Sequence, residues 1–425
     1  MRSARRASLS VLLLLPALAR AQEPSDKELR DGAAAAYKAK DYAAFLARSK
    51  ALVERNPKSL RSAYNLACAE ALTGDPKSAA RRLVSIVERG LDLSPDVDDD
   101  LASLRATPDW EPVRTKLEAL RAPISNGRVA FTLPEVDQIP EGIAYDPVTR
   151  THFVSSVHKR KIVARAADGS VSDFVASGQD GLFAALGIAL DAKRRLLWVA
   201  SAALPEMTGY EKAFEGASGL FAFDLSTRKL ARKVLFPKDG KRHALGDVAV
   251  SPSGDVYASD GMNGGVYRLA ARKDELAELV APGILRSAQG MGFWRNGKTL
   301  LVADWAGGIT AVDVTTGQRR ALTALDEVPL LGIDGLAVHG DSLVVTQNGI
   351  KPHRVTRLFL DGTTVTKAVV LERASAHFDE PTLGTIVGDE YLFVANSQWG
   401  AFDKDGKLPP PGKLKGPVIL ALRLK

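Results

Sequence analysis

The chain has 425 residues, 45% of them hydrophobic and 25% charged, enough for more than one ordinary soluble domain. Its net charge of +7 owes four units to Arg2, Arg5, Arg6 and Arg20 in an acid-free opening stretch, which leaves +3 for the rest. With no Lys/Arg run interleaved with aromatics, this balance excludes nucleic acid as the expected partner.

Residues 1–21 read as a signal peptide. The basic start is followed by LSVLLLLPAL and the small-residue pattern Ala19-Arg20-Ala21, so cleavage is expected before Gln22. The apolar run is about half of the roughly 20 residues that a membrane-spanning helix needs. The expectation is a secreted or periplasmic protein with no membrane span in the mature chain. Cys68 is the single cysteine, so no intramolecular disulfide can form, and its setting in SAYNLACAEAL reads as a buried small hydrophobe.

Residues 22–122 read as a tetratricopeptide-like helical domain. The pairs Asp41/Asp75, Leu52/Ile86, Glu54/Glu88 and Arg55/Arg89 all recur at a spacing of 34, the period of a helix pair that hides its apolar faces by stacking. Asn56-Pro57 and Gly74-Asp75-Pro76 mark the turns. The tail DLASLRATPDWEPVRTKLEAL is expected to cap the stack, with Trp110 in its core. Such a segment either offers a groove to a protein partner or serves as a packing domain.

From 126 to 425 a strand–turn–strand unit repeats six times, starting at Gly142, Gly187, Asp247, Gly290, Gly335 and Gly384, with spacings of 45, 60, 43, 45 and 49. Strand alternation at this period predicts a mainly β fold, a six-bladed β-propeller. The last unit, ending in GPVILALRLK, lacks a fourth strand. RVAFTL at 128–133 is predicted to supply it and close the ring, removing the open sheet edges.

In a propeller the loops entering the first strands share a face with the turns between second and third strands. The residues just before each first strand are Glu141, Leu186, Gly246, Gln289, Asp334 and Leu383, with Asp247 beside Gly246. Glu141, Gln289 and Asp334 offer oxygen donors of the kind that bind a hard cation. The other reading is that such residues cap strand starts. Long insertions at 204–219 and 397–416 fall on the same face, and Tyr210, Phe214 and Trp399 are expected to wall a small-molecule pocket there.

The motifs EGIAYDP at Glu141, QGMGF at Gln289 and DGLAV at Asp334, with VSPSGDVYASD and NGKTLLVAD, resemble the senescence-marker-protein, gluconolactonase and luciferin-regenerating-enzyme family of six-bladed propellers. The resemblance covers about 126–425. It implies a divalent cation, usually calcium or zinc, held by a Glu, an Asn and an Asp, and hydrolysis of lactones or related esters; the oxygen donors themselves favour calcium or magnesium, with zinc or manganese as alternatives. The Glu falls on Glu141 and the Asp on Asp334; the Asn position carries Gln289. An Asn that holds substrate in sugar lactonases is replaced by Gly246, so the sugar substrate does not carry over. On this reading Asp334 is the catalytic residue that orients or deprotonates water, Asp247 positions water or substrate, and His243 carries protons in the mouth. The contrasting reading is a non-catalytic ligand-binding or protein-interaction propeller.

Overall fold

The computed structural model describes residues 23–237, 240–295, 297–325 and 328–425. Residues 1–21, expected to be a signal peptide, and Gln22 lie outside them. The chain divides into two compact units, Met1–Leu83 with Asp96–Trp110, and Val84–Pro95 with Glu111–Lys425.

The helices are α1 (Asp26–Lys38), α2 (Tyr42–Arg55), α3 (Leu60–Leu72), α4 (Pro76–Glu88), α5 (Ala102–Arg105) and α6 (Trp110–Arg121). In the first unit the start of α1 is fixed by a capping box between Ser25 and Glu28. The 34-residue repeat is a repeated N-cap. Asp41 accepts the Ala44 amide at 3.0 Å, and Asp75 accepts the Ser78 amide at 3.1 Å. Leu29, Ala33, Phe45 and Leu52 are buried at the apolar spacing of their helices. Trp110 departs from expectation: it opens α6 and is only half-buried, because α6 turns Val113, Leu117 and Leu120 inward instead.

Among the described residues the second unit contains six sheets, one for each repeat, antiparallel throughout except for the short parallel pairing of Thr323–Ala324 with Thr364 and Val365. Their inner strands are Pro140–Asp146, Ala184–Asp191, Leu245–Val250, Ala288–Phe293, Ile333–His339 and Gly384–Val387. Second strands such as Leu196–Ala202 (LLWVASA) are nearly continuous apolar runs because both of their faces are covered. The core is accordingly divided into clusters between neighbouring blades. Ala144, Phe153 and Ile162 of blade 1 pack with Leu197, Phe221 and Phe223 of blade 2, and the pattern continues round the ring to Leu392, Val394 and Ile419 of blade 6 against Ile143 and Val154 of blade 1.

The glycines that open the repeats let inner strands crowd the axis. A Cβ at Gly187 would lie 2.3 Å from the Asp247 carboxylate, and one at Gly290 would lie 2.4 Å from the Asp334 carbonyl. Asp247 takes this position in the third repeat, so it is a side chain where the neighbouring copies have none.

The ring closes as predicted. Arg128–Thr132 pairs antiparallel with Val418–Arg423, with Arg128 opposite Ala421 and Thr132 opposite Val418. The chain reaches that seam from the outer strand of blade 5, where Ile124 and Ser125 pair with Arg373 and Glu372, and the Glu372 carboxylate accepts the Asn126 and Gly127 amides at 2.8 and 2.9 Å.

Phe131 is 7% exposed and sits in the blade 6–blade 1 core with Ile143, Val154 and Ile419. Phe131→Ala is expected to cost about 3–5 kcal/mol in denaturant unfolding. His152 packs between Phe131 and Tyr145, with centroids 5.1 and 4.7 Å away, and its Nδ1 has no hydrogen-bond partner. Burial, with the Arg165 charge beside it, pushes its pKa down to about 4. An unfolded histidine titrates near 6.5, so this contribution to stability is complete above about 6.5 and is lost as pH falls towards about 4. Thermal melts should show that loss, and His152→Phe should flatten it.

Candidate functional site

Strand register fixes which ends of the blades share a face. Pro140 lies opposite Ser156, Leu245 opposite Asp260, Ala288 opposite Asp304, and Ile333 opposite Gln347. Each inner strand therefore begins beside the turn that leaves the second strand. Glu141, Asp247, Gln289 and Asp334 all stand at this end of their inner strands. Glu141, Asp247 and Asp334 are 7%, 8% and 7% exposed, and Gln289 is half-buried.

Neutral donors hold these acids. Trp399 Nε1 donates to Glu141 Oε2 at 2.8 Å, Asn348 Nδ2 donates to Asp334 Oδ2 at 2.5 Å, and the Met291 amide donates to Asp247 Oδ2 at 2.9 Å. Gln289 Nε2 donates to Ser287 Oγ at 2.8 Å, whose hydroxyl donates to the Gly261 carbonyl. That orientation leaves Oε1 as an acceptor over Gly246, where a Cβ would lie 3.4 Å from it. Gln289 and Gly246 are thus one adjustment: the longer amide uses room that a side chain at 246 would narrow.

Burial raises all three carboxyl groups. Glu141 is raised well above the usual range by desolvation, then by the charge of Asp334, against the Trp399 hydrogen bond, with smaller contributions from Asp247 and Glu380. Asp334 is raised to about 7 by desolvation, opposed by the Asn348 hydrogen bond and reinforced by Glu380. Asp247 is raised to about 7 by desolvation, opposed by the Met291 and Val248 amides and reinforced by Asp334. Of the other buried acids, Asp146 pairs with Arg195, Glu70 with Arg82 and Asp191 with Arg194, whereas Asp304 and Glu372 accept backbone amides. Among the described residues no Lys, Arg or His forms an ion pair with Glu141, Asp247 or Asp334.

The Asp334 charge acts on both Glu141 and Asp247, yet the three carboxylates do not form a tight triad. Among the described residues, the group of three Cys, His, Asp or Glu with ligand atoms within 4.8 Å of one another is Cys68, Asp98 and Asp100 in the helical unit. Gln289 Oε1 and the carboxylates of Glu141 and Asp334 are oxygen donors of the kind that bind a hard cation. Below these acids an axial cavity of about 350 Å³ is lined by one or more residues of every blade, and Asp247 is the carboxylate in its wall.

The two insertions meet on this face. Tyr210, Phe214 and Trp399 join one apolar cluster with Phe402 and Leu408 over Ile139, Leu186 and Met207. His158 links the insertions, with Nδ1 2.7 Å from the Glu206 carbonyl and its ring 5.8 Å from that of Phe402. His243 has a different setting. It is 5% exposed, stacked on Phe236 at 3.7 Å, with Nδ1 2.9 Å from Asp260 Oδ2.

Two residues at the site escaped the sequence reading. Asn348 follows the second strand of blade 5, and its signal was its position at the end of the repeat, the column that also holds Asp260, Asp304 and Asn396. Glu380 precedes the inner strand of blade 6 with a positive φ of 57°, and its Oε2 accepts the Gly400 amide at 2.5 Å, tying down the Trp399 loop. Its displacement by three residues from Leu383 hid it from the column.

In the helical unit Cys68 is 4% exposed as expected, but it lines a cavity of about 470 Å³ whose wall is mostly apolar, with Phe45 and Leu52, and carries Tyr37, Tyr64, Asp98 and Asp100 among its polar groups. Tyr64 donates to Asp98 at 2.7 Å and Tyr37 to Asp100 at 2.9 Å. Burial, followed by the Asp98 charge, pushes the thiol up, so it is no nucleophile at neutral pH.

No protein-family model matches the chain, and no curated protein matches it. Solved structures similar in shape include a gluconolactonase from Xanthomonas campestris (18% identity, covering 72% of this chain and 92% of that one, TM-score 0.49). A calcium-binding protein, regucalcin, from Agrobacterium tumefaciens is similar too (18%, 70% and 95%, 0.49). So is a luciferin-regenerating enzyme (14%, 71% and 95%, 0.49). These likenesses concern the fold, and the chemistry below rests on this chain's own residues. Among the described residues no helix is long and apolar enough to cross a membrane.

The raised carboxyl groups carry a pH signature. Folded pKa values near 7 against about 4 unfolded mean that, without a cation, these groups stabilise the fold fully below about 4 and lose that contribution as pH rises through about 7. Melting in chelator between pH 5 and 9 should show a fall towards alkaline pH, and Asp334→Asn should reduce it.

Proposed function

We propose that this protein is an exported, divalent-cation-dependent hydrolase of a lactone or ester. The observation that carries the reading is the group Glu141, Asp247 and Asp334: three buried carboxyl groups, raised by their surroundings, with hydrogen-bond donors but no basic partner. Buried charge without a counter-charge is costly, and a cation removes the cost. Glu141, Gln289 and Asp334 would hold it, and their all-oxygen donor set favours calcium or magnesium over zinc, with manganese between.

When bound, the cation supplies Lewis acidity towards a carbonyl oxygen. The chain's own residues do the rest. Asp334, kept in place by Asn348, is the group positioned to take a proton from an attacking water. Asp247, fixed by the Met291 amide and reaching the axial cavity, orients water or the acyl group. Trp399 holds Glu141 and, with Tyr210 and Phe214, keeps bulk water from that side. The basic and apolar opening of the chain supports export, to the periplasm or outside the cell. The cavity around Tyr37, Tyr64, Asp98 and Asp100 supports a partner role for the helical unit.

Calorimetry after chelation tests the cation. Calcium at about 100 times its Kd should stabilise the native state by roughly 2.7 kcal/mol, and Glu141→Gln or Asp334→Asn should abolish most of the shift. No shift with calcium, magnesium, manganese or zinc would refute the site. A lactone and aryl-ester panel tests the reaction: turnover should require the cation and vanish in Asp334→Asn. A cation-dependent shift with no turnover would instead support a binding propeller.

A further inference from the structure

The mouth is roofed on one side only. Blades 6 and 2 carry the long loops, and their apolar cluster spans blade 1 through Ile139 and Val157. Blades 3 to 5 have short turns after their second strands, and among the described residues Met262 at 45%, Ile284 at 50% and Trp305 at 43% exposure face solvent on this side. They sit on loops joined edge to edge. The Gly283 amide donates to the Asn263 carbonyl at 2.7 Å, Leu285 to Gly264 at 3.3 Å, and Trp305 to Ser287 at 3.0 Å. Arg286 stands exposed in the same row, its amide fixed by Asp304.

Trp305 is held where it stands. Its Nε1 donates to Asn348 Oδ1 at 3.1 Å, and the other end of that amide donates to Asp334. Its ring lies across Gly349, where a Cβ would come within 2.4 Å of Cε2. An indole that needs a glycine beneath it and a dedicated acceptor has a fixed plane, and its exposed face lies one amide group away from the acid proposed as the base. Binding sites for small molecules combine such apolar walls with few polar anchors, and an indole with its N–H satisfied offers a flat apolar surface.

We propose that Trp305, with Met262 and Ile284, is the shelf on which an apolar substituent of the substrate lies while its carbonyl end reaches Asp334 and Asp247. The substrate class is then an ester or lactone bearing an alkyl or aryl group, and Trp305 determines that specificity. This rests on the proposed hydrolase reading, but its test is binding and does not need turnover.

The probes are two hydrolysis-resistant five-membered lactams, one unsubstituted and one carrying a hexyl tail, titrated into the calcium-loaded full chain by calorimetry. The tailed lactam should bind at least about tenfold more tightly, since each fully buried methylene is worth about 0.8 kcal/mol and a shelf buries part of the tail. Trp305→Ala should bring the ratio of the two affinities close to one, and Trp305→Phe should keep most of it. Because the ratio is taken within each variant, a general disturbance of the site cancels. Equal affinities in the wild type, a ratio unchanged in Trp305→Ala, or no binding of either lactam would overturn the shelf. A tail preference that depends on Trp305 in a protein that turns over no ester would leave the shelf standing and refute the hydrolase reading alone.

Discussion

Buried negative charge at the propeller axis is the constraint on which the rest of the site depends. Glu141, Asp247 and Asp334 come from three blades, and each is desolvated by the inner strands of its neighbours. The same strands must approach closely for the disc to pack, which is why glycine opens the neighbouring repeats and why the carboxylate of Asp247 fills the space beside Gly187. Packing and chemistry are therefore set by one feature. Repacking the axis to relieve the charge would open the inter-blade cores, and filling it with larger side chains would displace the acids.

Ring closure preserves that arrangement. Six blades held by apolar clusters and sealed between Arg128–Thr132 and Val418–Arg423 leave little freedom for the inner strands to move apart. The acids are held by groups that themselves belong to the rim: Trp399 and Glu380 secure the roof over Glu141, and Asn348 ties Asp334 to Trp305. One half of the mouth is thus a roof and the other an open shelf, and this asymmetry gives a ligand a direction in which to lie.

Much of this was legible in the sequence because it is written in periods. The 45-residue recurrence of strand pairs gave blade number, the missing fourth strand pointed to RVAFTL, and the column of residues before each inner strand found Glu141, Gln289 and Asp334. What resisted was set by side-chain direction and not by period. Glu380 is offset from the column by three residues, Asn348 acts through an amide that reaches across a turn, and the relation of Gln289 to Gly246 appears only when two blades are adjacent. His243 shows the opposite case: a loop histidine whose stacking on Phe236 and pairing with Asp260 no local pattern announces. Trp110 had the composition of a core residue, but the apolar face of α6 lies at Val113, Leu117 and Leu120.

Whether the uncompensated acids bind one divalent cation can be seen by anomalous diffraction from crystals grown with manganese. A single strong peak is expected at the axis, within coordination distance of Glu141, Asp334 and Gln289 Oε1. Crystals with no peak there, and with the carboxyl groups instead sharing protons with one another, would contradict such binding.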